Sequence, residues 1–325
     1  MNQAPRYVGL PLLLVSVIFW GILPIALKLS VDFVDATTLT WFRFVVALVI
    51  TLALQWYLGH LKQFKNLVWS DWAWLLVAAG FSIGNYLTFA YCLEYLAPGP
   101  AQLYFQTAPF FLAFAGILVF KEQITMWQFG SLIVLAVGVI LFFHPYLSLP
   151  ESELDRLLLG ILIVQVSSLC WSGYAVMQKY MKDRISGNNI LLFIFVVGVV
   201  VMLPFSDLEQ FADFKRWEWS VAGFCALNTL VAYGCFAQAM KYSTNLQTGA
   251  MVALVPIFSF LFTFVVAMLG WWPDVIQADQ LDQWQVIGIV TVVASVILLQ
   301  IPKRELIRIL KSAIRRSRKE LHSGL

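Results

Sequence analysis

Arg43 is the one charged residue that lies well inside a long apolar stretch of this sequence. Burying an unpaired charge is costly, so a charged side chain in such a place is a candidate binding residue. Its guanidinium could attract an anionic group, such as the carboxylate of a small molecule. It could equally extend to the aqueous interface at the end of the stretch, or bind neighbouring backbone carbonyls. The sequence leaves these alternatives open.

Amide and aromatic side chains are concentrated in six other apolar stretches. A mostly aromatic cavity with a few amides would suit a small organic molecule with one or two polar groups. Together with Arg43, the candidate binding residues are Trp20, Asn85, Tyr86, Gln102, Gln106, Trp171, Tyr174, Gln178, Asn228, Tyr233 and Gln238, with Tyr104 and Gln247 of similar character. The alternative for each amide is a hydrogen bond to a neighbouring helix.

Catalytic and metal-binding side chains are missing from the interiors of the apolar stretches. The histidines, His60, His144 and His322, lie near the ends of stretches or in the C-terminal tail, and no Asp or Glu lies deep in a stretch. We therefore identify no catalytic residues and no metal ligands. P-loop and dinucleotide-binding motifs are absent as well, so we expect no cofactor and no direct use of ATP.

The composition indicates where these residues act. Of the 325 residues, 61% are hydrophobic and 12% are charged, and the mean hydropathy is +0.81. Soluble domains contain about 25% charged residues. A soluble fold could not bury so much apolar surface, because a single core stops growing at about 250–300 residues. The sequence therefore predicts an integral membrane protein and argues against a soluble enzyme or a nucleic-acid-binding protein.

Ten apolar windows are long enough to cross a bilayer as helices, which takes about twenty residues per crossing. They lie at 8–29, 36–58, 72–93, 98–120, 125–143, 157–179, 187–206, 217–240, 245–270 and 283–301. Lys and Arg are more numerous on the side that includes both termini, whereas acidic residues such as Asp207 and Glu209 fall in the opposite loops. The positive-inside rule then predicts a multi-pass inner-membrane protein with cytoplasmic N- and C-termini.

The two halves of the chain resemble each other. The matches have offsets near 150 and include Ser16 with Ser167, Trp20 with Trp171, Phe44 with Phe195, Tyr86 with Tyr233, and Pro109 with Pro256. Each half contains five windows, an odd number, so the second half must enter the membrane from the opposite side. Two inverted copies of one fold can exchange conformations and open a central site alternately to each side. This pattern favours a transporter over a membrane enzyme.

Several motifs resemble those of the EamA-like transporters of the drug/metabolite transporter (DMT) superfamily. They are Ala97-Pro98 with Pro109, Phe120-Lys121-Glu122-Gln123-Ile124-Thr125, Gly130 with Gly138, Trp20-Gly21, and Arg43-Phe44. The resemblance implies an all-α membrane protein of ten transmembrane helices, arranged as two inverted five-helix EamA-like repeats at residues 8–143 and 157–301. It also implies that helices one, three, four, six, eight and nine line a central cavity, while helices five and ten pack behind.

The second repeat departs from this pattern. Arg43 pairs with Ile194, and no acidic residue follows the ninth span at the place of Glu122. We therefore expect the two halves to differ in function. If the repeat is real, Trp20 and its counterpart in the second half should converge with the matched tyrosines on one central cavity.

Three prolines fall within the predicted helices one, four and nine: Pro24, Pro109 and Pro256. Proline removes a helical hydrogen bond, so these positions are candidate hinges. Packing curvature alone would explain them equally well.

The C-terminal tail, residues 302–325, is basic with apolar residues at helical spacing. It is typical of an amphipathic helix on the anionic inner leaflet, or of a partly disordered basic segment that fixes topology.

The resemblance implies a secondary transporter that moves small organic metabolites, amino acids or related compounds, in the export direction by alternating access. With no buried carboxylate, a facilitator or gradient-driven exchanger is favoured. A membrane-embedded enzyme and a sensor or assembly protein on a transporter-like fold remain alternatives. The expected partners are a small organic substrate and membrane lipids, with no nucleic acid, and we expect a monomer.

Overall fold

The computed structural model describes residues 9–121, 126–144, 151–181, 183–239, 251–252, 254–276 and 281–300. All regular secondary structure within these ranges is helical. The α-helices are α1 (Gly9–Ser30), α2 (Ala36–Tyr57), α3 (Trp69–Cys92), α4 (Pro98–Tyr104), α5 (Ala108–Phe120), α6 (Met126–Phe143), α7 (Glu151–Met181), α8 (Gly187–Met202), α9 (Arg216–Ala239), α10 (Val255–Met268) and α11 (Gln283–Gln300). Short 3-10 helices lie at His60–Asn66, Phe105–Thr107, Leu203–Phe205 and Leu208–Asp213.

Six helical segments in the described part of the chain are long and apolar enough to cross a membrane. They are Gly9–Ser30, Ala36–Tyr57, Trp69–Cys92, Leu154–Met181, Gly187–Phe205 and Arg216–Ala239. Shorter apolar helices occupy Phe129–Phe142, Val255–Met268 and Gln283–Ser295. The fourth predicted window is occupied by α4, a 3-10 turn and α5. The all-helical membrane class is confirmed, whereas the count of ten crossings stays a prediction.

The helices of the two halves pack against one another in a symmetric pattern. Five of the packed pairs are α1 with α9, α3 with α7, α2 with α8, α4 with α10, and α6 with α11. With α4 and α5 counted together as the fourth helix of the first half, α1 corresponds to α7 and α3 corresponds to α9. Exchanging the two halves therefore turns the α1–α9 contact into the α7–α3 contact. Each of the other pairs consists of two corresponding helices and is unchanged. This pattern is consistent with two EamA-like repeats.

The paired helices run in opposite directions. Ser16 of α1 contacts Ala232 late in α9, whereas Phe33, just after α1, contacts Trp217 at the start of α9. The same reversal holds for Asn85–Ser167 and Trp74–Tyr180 between α3 and α7, and for Trp127–Leu298 and Gln285–Phe142 between α6 and α11. An inverted second half requires this arrangement.

Two hydrogen bonds repeat across the halves. The Ser16 hydroxyl donates to the carbonyl oxygen of Ala232 at 2.9 Å, and the Ser167 hydroxyl donates to the carbonyl oxygen of Asn85 at 3.1 Å. Ser16 and Ser167 are matched at an offset of 151, and Asn85 and Ala232 at an offset of 147. The matched positions of the sequence therefore make equivalent contacts in three dimensions.

Acidic residues at the starts of two matched helices satisfy backbone groups. The amide N–H of Val68 donates to Asp71 at 3.0 Å before α3, and the amide N–H of Lys215 donates to Glu218 at 2.7 Å before α9. The first N–H groups of a helix have no intrahelical acceptor, so a nearby carboxylate stabilises the helix end. These two nearly buried acids thus have a structural role at the ends of spans.

Helices α6 and α11 approach each other closely through glycine. The Cα of Gly288 faces the backbone of α6, where an added Cβ would lie 2.8 Å from the carbonyl oxygen of Gly138. Trp127 Nε1 donates to the carbonyl oxygen of Leu298 at 3.1 Å. As the family resemblance implied, α6 and α11 pack against each other, and no described residue of either helix lines the cavity described below.

The three candidate hinge prolines have different positions in their helices. Pro24 lies inside α1, as predicted. Pro109 is the second residue of α5, directly after the break at Phe105–Thr107. Pro256 lies in the first turn of α10, where a missing N–H disrupts no helical hydrogen bond. Helical residues 251–252 and a turn at residue 254 precede α10, so Pro256, like Pro109, follows directly after a break. Hinge motion at any of the three prolines stays a prediction.

Candidate functional site

A central cavity of about 80 Å³ lies between α1, α3, α4, α7, α9 and the start of α10, with α2 contributing Arg43. A cavity needs roughly 10–15 Å³ to hold one water molecule, so this space holds several waters or a small organic group. Eight of the twelve predicted binding residues line it: Trp20, Arg43, Asn85, Tyr86, Gln102, Gln106, Trp171 and Tyr233. The four matched aromatic residues therefore converge, as expected from the repeat.

The other four predicted residues do not line the cavity. The side-chain amide of Gln178 donates to the hydroxyl of Tyr174, one helical turn away. Asn228 Nδ2 donates to the carbonyl oxygen of Phe19, so this amide joins α9 to α1. Gln238 is half-buried near the end of α9. The described contacts of Tyr174, Gln178 and Asn228 indicate that these side chains form hydrogen bonds within or between helices. Gln247 lies outside the described residues.

Apolar residues complete the cavity lining. They are Leu23, Leu27, Phe89, Phe105, Val252 and Val255. Sequence reasoning missed them because an apolar residue on a membrane helix has the same character whether it faces lipid, a neighbouring helix or a cavity. The match of Phe89 with Phe236, which contacts Trp20, is the one signal that could have identified a member of this group.

The aromatic side chains form a continuous wall. Trp20 and Tyr233 meet edge to face with ring centres 5.3 Å apart, and Tyr233 stacks on Tyr86 at 5.3 Å. Phe105 and Trp171, which also line the cavity, meet with ring centres 5.9 Å apart. Trp20 Nε1 is buried and has no hydrogen-bond partner among the described residues. A buried N–H without an acceptor is uncommon in proteins.

Matched residues touch each other at the centre of the molecule. Tyr86 and Tyr233 are equivalent positions of the two halves, and their rings are stacked. Phe44 and Phe195 are also equivalent, with ring centres 5.2 Å apart. Equivalent residues can contact each other only beside the axis that relates the two halves. The cavity therefore lies next to that axis.

Arg43 is almost completely buried, with 2% of its surface exposed. Its Nε donates to Thr229 Oγ1 at 3.0 Å, and its guanidinium carbon lies 4.9 Å from the centre of the Tyr86 ring, a cation–π distance. No ion pair between described residues involves Arg43, and no described backbone carbonyl accepts from it. Of the alternatives left open by the sequence, extension to solvent and binding of backbone carbonyls both disagree with this geometry.

Two amides of the cavity wall are held by defined partners. Gln102 Nε2 donates to the carbonyl oxygen of Trp20 at 3.3 Å. Asn85 Nδ2 donates to Ser167 Oγ at 2.9 Å and to the Ser167 carbonyl at 3.2 Å. These hydrogen bonds orient both amide nitrogens toward neighbouring helices. The side-chain oxygens of Gln102 and Asn85 take no part in them.

A polar network supports the break between α4 and α5. Thr107 Oγ1 lies 2.6 Å from Gln165 Oε1 and 2.9 Å from Ser168 Oγ, and Gln165 Nε2 donates to the carbonyl oxygen of Tyr104 at 3.2 Å. The side chains of α7 thus satisfy groups at the 3-10 turn, whose regular helical hydrogen bonds are interrupted. No sequence motif predicted this network.

The described residues contain no group of three or more His, Cys, Asp or Glu side chains placed to hold a metal ion. The four cysteines are free. Among the described residues, the cavity lining contains one positive charge and no acidic side chain.

Comparison with protein families gives one match that extends over both halves. The model of the family described as "EamA-like transporter family" matches residues 7–144 and again residues 158–301. The two matches together cover most of the chain.

Individual proteins give the same result. The chain is 29% identical over 298 residues to an uncharacterized transporter of Haemophilus influenzae, covering 92% of this chain and 96% of that protein. It is 28% identical over 290 residues to the uncharacterized inner membrane transporter YhbE of Escherichia coli, covering 88% and 89% of the two chains. A solved crystal structure aligns with a TM-score of 0.61 at 16% identity, over 93% of this chain and 99% of the other, which indicates a shared fold.

Proposed function

This chain belongs to the EamA-like transporter family of the drug/metabolite transporter superfamily, and we propose on that premise that it is a secondary transporter of small organic metabolites. The proposed substrates are amino acids or related compounds, the proposed direction is export across the inner membrane, and the mechanism is alternating access. Both termini are cytoplasmic in this proposal. The basic tail, residues 302–325, contacts anionic lipids of the inner leaflet; it lies outside the described residues.

The observation that carries the proposal is the central cavity, whose walls include matched aromatic residues from both halves. Trp20 and Tyr86 come from the first half, and Trp171 and Tyr233 come from the second. In an inverted-repeat transporter, each half can adopt the conformation of the other, so a site between them opens to one side and then to the other. A site beside the symmetry axis supports this mechanism.

Counterflow in proteoliposomes tests the proposal. Full-length purified protein is reconstituted, and exchange of radiolabelled amino acids, amines and vitamins is measured against empty liposomes. Exchange of at least one compound supports a transporter. No exchange of any compound, together with unchanged metabolite export after gene deletion, would favour the enzyme or sensor alternatives instead.

A matched pair of tryptophan variants tests whether exchange depends on the cavity. Trp20→Ala removes part of the cavity wall, whereas Trp56→Ala changes a side chain that is 76% exposed on the outer surface of α2. We expect Trp20→Ala to lower exchange strongly and Trp56→Ala to leave it near the wild-type rate. Equal rates for the two variants would contradict a role for this cavity.

A further inference from the structure

The charge of the cavity wall is unbalanced. Arg43 supplies one permanent positive charge, because an arginine side chain stays protonated in proteins. The described part of the lining contains amides, aromatic rings and aliphatic side chains, but no Asp or Glu. The hydrogen bond to Thr229 and the Tyr86 ring offset part of the desolvation of this guanidinium. A buried cation without a counter-ion nevertheless remains unfavourable.

The guanidinium of Arg43 retains unused donors. It has five N–H groups, and Nε is bound to Thr229. Within the described part of the chain, the other four N–H groups have no hydrogen-bond acceptor. The planar edge of a guanidinium binds a carboxylate through two parallel hydrogen bonds, which makes this arrangement selective for planar oxyanions.

We propose that Arg43 is the anion subsite of the cavity and that the transported substrates are small monocarboxylates with an apolar or aromatic body. The carboxylate binds the terminal nitrogens of Arg43, while the body packs against the wall formed by Trp20 and Tyr233. This inference rests on the proposed transport function and, within the class of amino acids and related compounds, favours the carboxylates that lack an amino group.

A carboxylate without an amino group fits this wall better than an amino acid zwitterion or an amine does. An ammonium group would lose its hydration in the cavity and find amide oxygens, such as those of Asn85 and Gln102, but no carboxylate. Burying a charge without a counter-charge is costly, so the ammonium adds a penalty that the monoanion does not carry. A neutral analogue would leave Arg43 without its counter-ion.

A matched series of small molecules tests the proposal on the full-length protein. The series is 4-methylpentanoate, leucine, isoamylamine and isoamyl alcohol, which share an isobutyl-type body and differ in charge. Binding to detergent-purified protein is measured by quenching of tryptophan fluorescence, and transport is measured by counterflow. We expect 4-methylpentanoate to bind and exchange best at pH 7. Equal or tighter binding of isoamylamine or leucine, or no binding of 4-methylpentanoate, would overturn the proposal.

Substitutions of Arg43 separate charge from packing. Arg43→Gln should weaken 4-methylpentanoate binding by about 10- to 100-fold, since a hydrogen bond to a charged group is lost, and should not weaken isoamyl alcohol binding. Arg43→Lys should retain part of the affinity. Arg184→Gln, which removes a positive charge from an exposed turn, is the matched control and should behave as wild type. Undiminished carboxylate binding by a folded Arg43→Gln protein would overturn the proposal.

Failure of this inference can be told apart from failure of the proposed function. Exchange of amines or neutral compounds that Arg43→Gln does not alter would overturn the anion subsite and leave transport intact. Arg43-dependent binding of 4-methylpentanoate without counterflow of any compound would support the subsite and contradict transport. If Arg43→Gln does not fold, the order of affinities in the wild-type series decides the question.

Discussion

Gln102 provides the hydrogen-bond donor that the carbonyl oxygen of Trp20 does not receive from its own helix. The two atoms are 3.3 Å apart. The helical donor to this carbonyl would be the N–H of residue 24, and Pro24 has none. A buried carbonyl without a partner is unfavourable, so the side chain from α4 compensates for the proline in α1. The same contact joins two walls of the cavity.

The relationship between Gln102 and Pro24 predicts a coupled pair of substitutions. Gln102→Leu should lower the free energy of unfolding by about 1–2 kcal/mol, because the Trp20 carbonyl loses its donor. In a Pro24→Ala background the helical N–H is restored, and Gln102→Leu should cost less. Thermal unfolding in detergent of the four proteins of this double-mutant cycle measures the coupling. Additive effects would show that the proline and the amide act independently.

The close approach of α6 and α11 predicts a steric effect at Gly288. An added Cβ would lie 2.8 Å from backbone atoms of Gly138 and Phe142, which cannot move without shifting the helix. Gly288→Ala should therefore lower the free energy of unfolding by about 1–3 kcal/mol. Gly130→Ala on α6 is the control, because its added Cβ meets nothing within 4 Å. Equal unfolding midpoints for the two variants would refute the close packing.

Glu94 predicts a pH-dependent contribution to stability. Partial burial raises the pKa of its carboxyl group, the nearby Lys28 opposes this shift, and Asp35 adds to it. The folded protein thus holds this proton at pH values where the unfolded chain has lost it. The contribution of Glu94 is most favourable below its ordinary pKa and declines as pH rises through the raised value in the folded protein.

Glu94→Gln should remove this pH dependence. Relative to wild type, the variant should gain stability at pH 8 and show little difference at pH 4, as measured by thermal unfolding at both values. The guanidinium of Arg156 donates to the backbone carbonyl oxygen of Glu94. A change of the Glu94 side chain leaves this hydrogen bond in place. A difference between variant and wild type that does not change with pH would contradict the raised pKa.

The proposed orientation predicts which loops a membrane-impermeant thiol reagent reaches. Lys62→Cys, in the 3-10 helix after α2, should be protected in intact spheroplasts and react after lysis. Glu209→Cys, in the 3-10 helix before α9, should react without lysis. The parent protein without the introduced cysteine controls for the four native thiols. The reverse labelling pattern would place both termini outside.

The sequence predicted the helices well because long apolar runs have few alternatives to helix in a bilayer. It also predicted the convergence of Trp20 and Tyr86 with their counterparts, because residues matched by an inverted repeat have related places around one axis. The anionic-group hypothesis for Arg43 came from the cost of a buried charge alone, and the geometry is compatible with it.

The orientation of single side chains could not be predicted in the same way. Asn228 and Gln102 have similar amides in similar apolar surroundings, yet only Gln102 lines the cavity. The rotation of each helix decides this, and rotation depends on packing between residues distant in sequence. Pro109 marked an interruption of the fourth helix, but the side-chain network that supports the break near Thr107 was missed for the same reason, because Gln165 and Ser168 lie in the other half of the chain.

Phe44 contacts its equivalent Phe195 next to the axis that relates the two halves. Arg43 and Ile194 are the residues just before them. A symmetric dimer of a single repeat with arginine at this position would bring two guanidinium groups next to the dyad, where like charges repel each other. Two repeats within one polypeptide can differ at matched positions, and this chain has arginine in the first half and isoleucine in the second. A single chain therefore permits one positive charge beside the axis, a pattern that a symmetric homodimer excludes.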